Sequence, residues 1–195
     1  MNIEINDINL EQVDLYKYLG VNISNTGEQE MEIIERIDNT SRLYQAIKNS
    51  FLNKKEISRA LKMTVFIQTL TFSCESWVLT KRLKTRYSVL GVTRKDILRN
   101  SFIREEPKVD SILNKIEQCQ LRWYGHLIRM NNDIPVKGVW EAKMQGKRPR
   151  GRPTKTWKDT IEKIVQDRGL TLTEAKSLAR DKNKWKQFVY SIAIK

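Results

Sequence analysis

Few of the residues that usually build catalytic centres occur in this chain. One histidine, His126, and two cysteines, Cys74 and Cys119, stand among 195 residues. His126 has no cysteine or second histidine at ligand spacing, so no zinc cluster is expected, and two cysteines make no disulfide framework. Aspartates are never adjacent, and no strand-borne carboxylate pair suggests a two-metal polymerase or nuclease site. A phosphate-binding loop of the G-x-x-x-x-G-K type is also missing. The start, "MNIEINDINL", lacks the basic and apolar regions of a secretory signal, and the apolar stretch "LKMTVFIQTLTF" is too short and interrupted to span a bilayer. The expectation is a soluble intracellular protein, nuclear or cytoplasmic with the nucleus favoured, having no cofactor, no metal, no catalytic residue and no membrane partner.

What the chain has is positive charge. The formal net charge is +13, and it is unevenly spread. Residues 1–40 carry two basic and nine acidic side chains, whereas residues 41–195 carry 34 and 14. An acidic beginning followed by a strongly basic body points to a polyanionic partner, RNA or DNA.

The fold class read from the pattern is mainly α. A short N-terminal β-hairpin precedes a helical bundle and a basic C-terminal helical region. "NIEIN" alternates polar and apolar residues, "VDLYKYLGVNIS" is rich in β-branched and aromatic ones, and Asn25 to Gly27 supply turn chemistry. From Ile33, steps of four and three place Ile33, Ile37, Thr40, Tyr44, Ile47 and Phe51 on one helical face. Asn53, with Glu56 three residues on, is read as the cap of a second helix whose apolar later half belongs in the middle of the bundle. The segment "VDSILNKIEQCQLRWYGHLIRM" predicts a helix with Val109, Ile112, Ile116, Cys119, Trp123 and Leu127 on its buried stripe. Beyond it lies a Pro/Gly-rich linker with a short helix at "VWEAK". Thr154 is read as the cap of a helix running through Gln166 that buries Trp157, Ile161 and Ile164, with Gly169 closing it. A capping box, Thr171 to Glu174, opens a last helical region containing Trp185, Phe188 and Ile192. The division expected is 1–24, 25–86, 87–130, 131–153 and 154–195.

Three clusters are candidates for contact with nucleic acid. "GKRPRGRPTKTW" packs Lys147, Arg148, Arg150, Gly151, Arg152 and Lys155 between prolines, with an AT-hook-like core at Arg148–Pro153. The prolines keep such a backbone extended, the glycine admits it to a groove floor, and narrow A·T-rich minor grooves favour inserted arginines. The alternative is a basic linker that holds phosphates without reading sequence, or an import signal. The second cluster, "RWYGHLIRM", mixes rings with cations as stacking on unpaired bases requires. There Trp123 is assigned to the core, and Tyr124, His126 and Arg129 to the exposed face. A third cluster is the run containing Lys81, Arg82, Lys84 and Arg86, which can neutralise several phosphates or simply be solvated.

Taken in order, "YKYLGVNIS", "EIIERIDNTSRLYQAI", "CESWVLTKR", "LGVTRKDILRN", "IREE", "LRWYGHLIRM" and "GKRPRGRPTKTWKD" resemble the C-terminal part of a non-LTR retrotransposon (LINE-type) endonuclease/reverse transcriptase polyprotein. The similarity runs from about Tyr16 to Trp185. It implies that residues 1–24 are the last strands of a palm, with Tyr18 to Gly20 at the junction to the thumb. It further implies a helical thumb over 28–80 and a basic post-thumb region that contacts element RNA or target DNA. The chain departs from the family in lacking the fingers and the palm body with its paired aspartates, and in a shorter segment between "TKRLKTR" and "YSVLGVTRKD". The resemblance therefore implies a non-catalytic nucleic-acid-binding fragment. Two alternatives stand beside it: part of an RNA-directed DNA polymerase active only with a palm supplied elsewhere, and a module docking on intact element proteins.

Overall fold

Turn chemistry shapes the beginning of the chain in the computed structural model, which describes residues 4–5, 8–9, 12–52, 54, 56–80, 83, 112–142, 151 and 155–191. Strands β1 (Glu4–Ile5) and β2 (Ile8–Asn9) pair antiparallel. A second hairpin joins β3 (Leu15–Tyr18) to β4 (Val21–Ser24), with Tyr16 opposite Ile23 and Tyr18 opposite Val21. Its two-residue turn puts Leu19 at φ 48° and Gly20 at φ 78°. Two positive φ values suit the right-handed twist of the strands, although only the glycine adopts one without strain. The expected turn at 25–27 is present: Asn25 donates from its backbone N–H and side chain to Asp14, and Gly27 takes φ 71°.

The chain divides into two compact units, Met1–Phe72 and Ser73–Lys195. In the first, α1 (Glu30–Ile47) buries Ile33 and Ile37 as its spacing predicts, then continues as a π-helical turn, Lys48–Leu52. Glu32, 2% exposed, fixes the hairpin to α1 by accepting from the Asn22 N–H at 2.7 Å and from Arg36 Nε at 2.6 Å. Helix α2 (Arg59–Leu70) starts later than expected. Its cap is Ser58, whose hydroxyl accepts from the Leu61 N–H. Nor does it lie in the middle of a bundle, because Leu61 is half exposed, Val65 to Ile67 are only partly covered, and Leu70 alone is fully buried among its described side chains. The physical reason is a shortage of neighbours: within this unit α2 packs chiefly on α1, and one helix covers only one stripe.

The second unit is built around α3 (Ile112–Arg129). A 3-10 turn, Cys74–Ser76, lies against α3, as do α4 (Pro135–Glu141), α5 (Trp157–Gln166), α6 (Leu172–Arg180) and α7 (Lys182–Tyr190). The core joins Leu121, Tyr124 and Ile128 of α3 to Ile161 and Val165 of α5, Ala175 and Ala179 of α6, and Trp185 and Val189 of α7. Each fully buried aliphatic side chain there contributes about 1.5–3 kcal/mol. Ala175 and Ala179, one turn apart, leave α6 free to approach α3 closely. The capping box at Thr171 and Glu174 forms as read, and a second one forms at Thr156 and Asp159, so Thr156 rather than Thr154 caps α5. Asp181 divides the last helical region in two, ending α6 and capping α7 through the N–H groups of Asn183 and Lys184.

The predicted stripe on α3 needs correction. Ile116 and Leu127 are buried, but Trp123 is only half-buried, while Tyr124, assigned to the exposed face, is fully buried. Two apolar faces compete on this helix: 116–119–123–127, and 121–124–128, which meets the core. The helix is covered on more than one side, which also explains the burial of Gln118 and Gln120. Gln120 is satisfied there by donating from Nε2 to the Trp77 carbonyl at 2.7 Å.

Candidate nucleic-acid interface

One face of α3 forms the wall of a cavity. Cys119, Arg122, Trp123, His126 and Arg129 recur at helical steps along that face and line a cavity of about 650 Å³. The facing wall comes from α7, where Lys182, Lys186 and Tyr190 follow each other at intervals of four. Trp185 and Val189 close the floor, and Glu75 from the 3-10 turn is the carboxylate on the wall. Four permanent cations and one histidine thus surround aromatic surface.

Each of these side chains is placed by the packing beneath it. Trp185 is the pivot: its Nε1 donates to the Leu121 carbonyl at 2.8 Å, and its ring meets the Phe188 ring at 5.1 Å. The indole lies so close to α3 that a Cβ on Gly125 would sit 2.1 Å from Nε1 and 2.3 Å from Cδ1. Tyr124 packs its ring 5.6 Å from both Trp140 and Trp185 in the core, where burial pushes its hydroxyl up to about 12. Tyr124 therefore supports the groove from behind and cannot touch a ligand in it. Its place as the exposed ring belongs to Trp123, which is half-buried and stands 5.5 Å from the exposed His126 ring.

Arg129 is half-committed. Its Nη1 donates to the Ala179 carbonyl at 2.6 Å, capping α6, while its side chain still lines the cavity. Among the described residues, Arg122, Lys182 and Lys186 form no ion pair with a carboxylate, so their charge is open to an external anion. The Cys119 thiol on the wall is brought down to about 7, chiefly by a hydrogen bond from Cys74 and also by the Lys115 and Arg122 charges. Its partner Cys74, fully buried, is pushed up by that bond and by burial.

Of the other sequence-predicted contacts, Lys81, Arg82, Lys84, Arg86, Lys147, Arg148, Arg150 and Arg152 lie outside the described residues. Gly151 is exposed at φ 120°, a backbone only glycine adopts without strain, with open space where a Cβ would stand. Lys155 donates to the Leu79 carbonyl at 3.1 Å, beside Trp157, whose Nε1 donates to the Glu75 carbonyl at 2.8 Å. Those two bonds hold the end of the linker and the start of α5 against the 3-10 turn and the segment following it. Sequence reading missed Lys182, Lys186 and Tyr190, although "KNKWKQFVY" displays their period of four around the core positions Trp185 and Val189.

Among the described residues, no group of three or more His, Cys, Asp or Glu is placed to hold a metal ion, and no helix is long and apolar enough to cross a membrane. Compared with protein-family models, with curated proteins and with solved structures, the chain matches none of them.

Proposed function

We propose that this chain is a non-catalytic nucleic-acid-binding fragment, the thumb and post-thumb part of a non-LTR retrotransposon reverse transcriptase, acting in the nucleus. The groove between α3 and α7 carries this reading. It gathers Arg122, His126, Lys182 and Lys186 around aromatic rings, and a phosphate chain is the ordinary polyanion for such a surface. The basic linker adds a second contact read from the sequence: Lys147, Arg148, Arg150 and Arg152 hold the backbone or enter an A·T-rich minor groove, with Gly151 admitting the chain. Binding then proceeds by release of counterions, and its affinity falls as salt rises.

Replacing Lys182 and Lys186 together by alanine tests the groove without touching the core, since both side chains are exposed. Affinity for a structured RNA should drop, and the magnitude of the salt slope should fall by about 2. An unchanged slope assigns phosphate binding elsewhere. For the linker, replacing Arg150 and Arg152 together should weaken an A·T-rich duplex more than a G·C-rich one, and equal loss on both sinks the minor-groove component.

A second reading draws on the β3–β4 hairpin, where Leu15, Tyr16, Tyr18, Leu19 and Ile23 are each about half exposed or more. Such a face supports docking on an intact element protein. A pull-down that survives nuclease treatment favours docking; loss of capture with nuclease returns the interaction to nucleic acid.

A further inference from the structure

Resting on the nucleic-acid reading above, we propose that the groove accepts a single strand and seats one unpaired base against Trp123 and Tyr190, its flanking phosphates held by Lys182, Lys186 and Arg122. Three features of the cavity point to this ligand rather than to a duplex. First, its volume of about 650 Å³ is that of a pocket for a small organic group, within the usual range of about 300–1,000 Å³. A duplex presents phosphates on a broad convex surface and keeps its base faces stacked inside, so it cannot fill such a concavity. A single strand can turn one base into it.

Second, the rings are placed where only a base uses them. Tyr190 is 50% exposed at the end of α7, and Trp123 is half-buried on the opposite wall. Phosphate gains nothing from an aromatic face, whereas every base has a π-face to stack on it. Third, Glu75 also lines the cavity and is less exposed than Arg122, Lys182 and Lys186. A phosphate drawn into the cavity meets that carboxylate and is repelled; a neutral base is not. The cationic side chains are thereby left to the backbone and the interior to the base. Because stacking is indifferent to base identity, little sequence preference should come from this site.

Three fluorescently labelled probes of equal length test the proposal by anisotropy with the full chain. They are a single-stranded oligonucleotide, the same sequence as a duplex, and an abasic strand with the same number of phosphates. The single strand should bind at least tenfold tighter than the abasic strand and tighter than the duplex. Tyr190→Ala should weaken the single strand about fivefold or more and leave the abasic strand unchanged, while Tyr190→Phe, which keeps the ring, should retain full affinity. Equal affinity for the single and abasic strands, or equal loss on both with Tyr190→Ala, overturns base seating while leaving phosphate binding intact. Preference for the duplex overturns it too. Failure to bind any of the three removes the nucleic-acid reading itself.

Discussion

Gly125 illustrates how one residue sets the geometry of a site it never touches. Its backbone is helical, so the glycine is required by proximity: the Trp185 indole occupies the space a methyl group would need. Gly125→Ala must push a rigid ring that is hydrogen-bonded to Leu121 and packed on Tyr124 and Phe188. A loss of about 2 kcal/mol or more is expected, visible as a lower urea midpoint. A midpoint that does not move places Trp185 elsewhere. Cys119 makes the second prediction at this scale. With its thiol down to about 7, its alkylation by iodoacetamide should rise with pH through about 7 and then level off as the thiolate becomes fully formed. Cys74, buried and shifted upward, should stay unmodified in the folded protein. Since Cys119 lies on the groove wall, a bound oligonucleotide should slow its reaction several-fold; an unaltered rate with saturating oligonucleotide argues that the strand lies elsewhere.

Helix ends follow one rule repeated three times. Lys137 donates to the Ile128 and Met130 carbonyls at the end of α3, Arg129 to Ala179 at the end of α6, and Arg168 to Phe188, Val189 and Ser191 at the end of α7. Each cation meets the negative end of a helix dipole and donates to carbonyls of the last turn, which lack an i+4 partner in the helix. Arg168 is only 8% exposed, so Arg168→Leu should cost about 1.5–3 kcal/mol by taking the guanidinium donor from the Val189 and Ser191 carbonyls, the Phe188 carbonyl keeping the Ser191 hydroxyl, measured again by urea unfolding. A cost near zero means that water replaces the guanidinium at the end of α7. None of these caps is legible in the sequence, because the donors lie 7 to 50 residues from their acceptors. The N-terminal caps are local and were legible only in part: the cap of α2 is Ser58 where Asn53 was read, and Asp181, the cap of α7, was missed. The Thr171–Glu174 box forms as read, whereas the cap of α5 moves two residues, from Thr154 to Thr156. Phase was the harder problem. Trp123 and Tyr124 are neighbours about 100° apart on α3, and single-sequence periodicity cannot say which of the two helical faces that hold them meets the denser packing. Half of the groove is legible as "RWYGHLIRM"; the other half, on α7, is not, because Trp185 and Phe188 mark that helix as core while its lysines read as an ordinary solvated face.

The whole molecule separates its charge as it separates its units. Ser73–Lys195 carries 28 basic against 13 acidic side chains, whereas Met1–Phe72 carries 8 against 10. The unit holding the groove is therefore the one whose field attracts a polyanion, and attraction of this kind is felt within a Debye length of about 8–10 Å at ordinary salt. Long-range charge brings many polyanions to the surface, but shape decides which of them stays once ions screen the field. The most direct test is an anisotropy titration of the intact chain against a structured RNA, an A·T-rich duplex and a G·C-rich duplex, each at low and near-physiological salt. A retained preference for one ligand at the higher salt is the predicted result, since stacking and groove contacts survive screening better than free charge. Weak binding that is equal across the three ligands and collapses with salt would contradict the account, reducing groove and linker alike to general polyanion affinity.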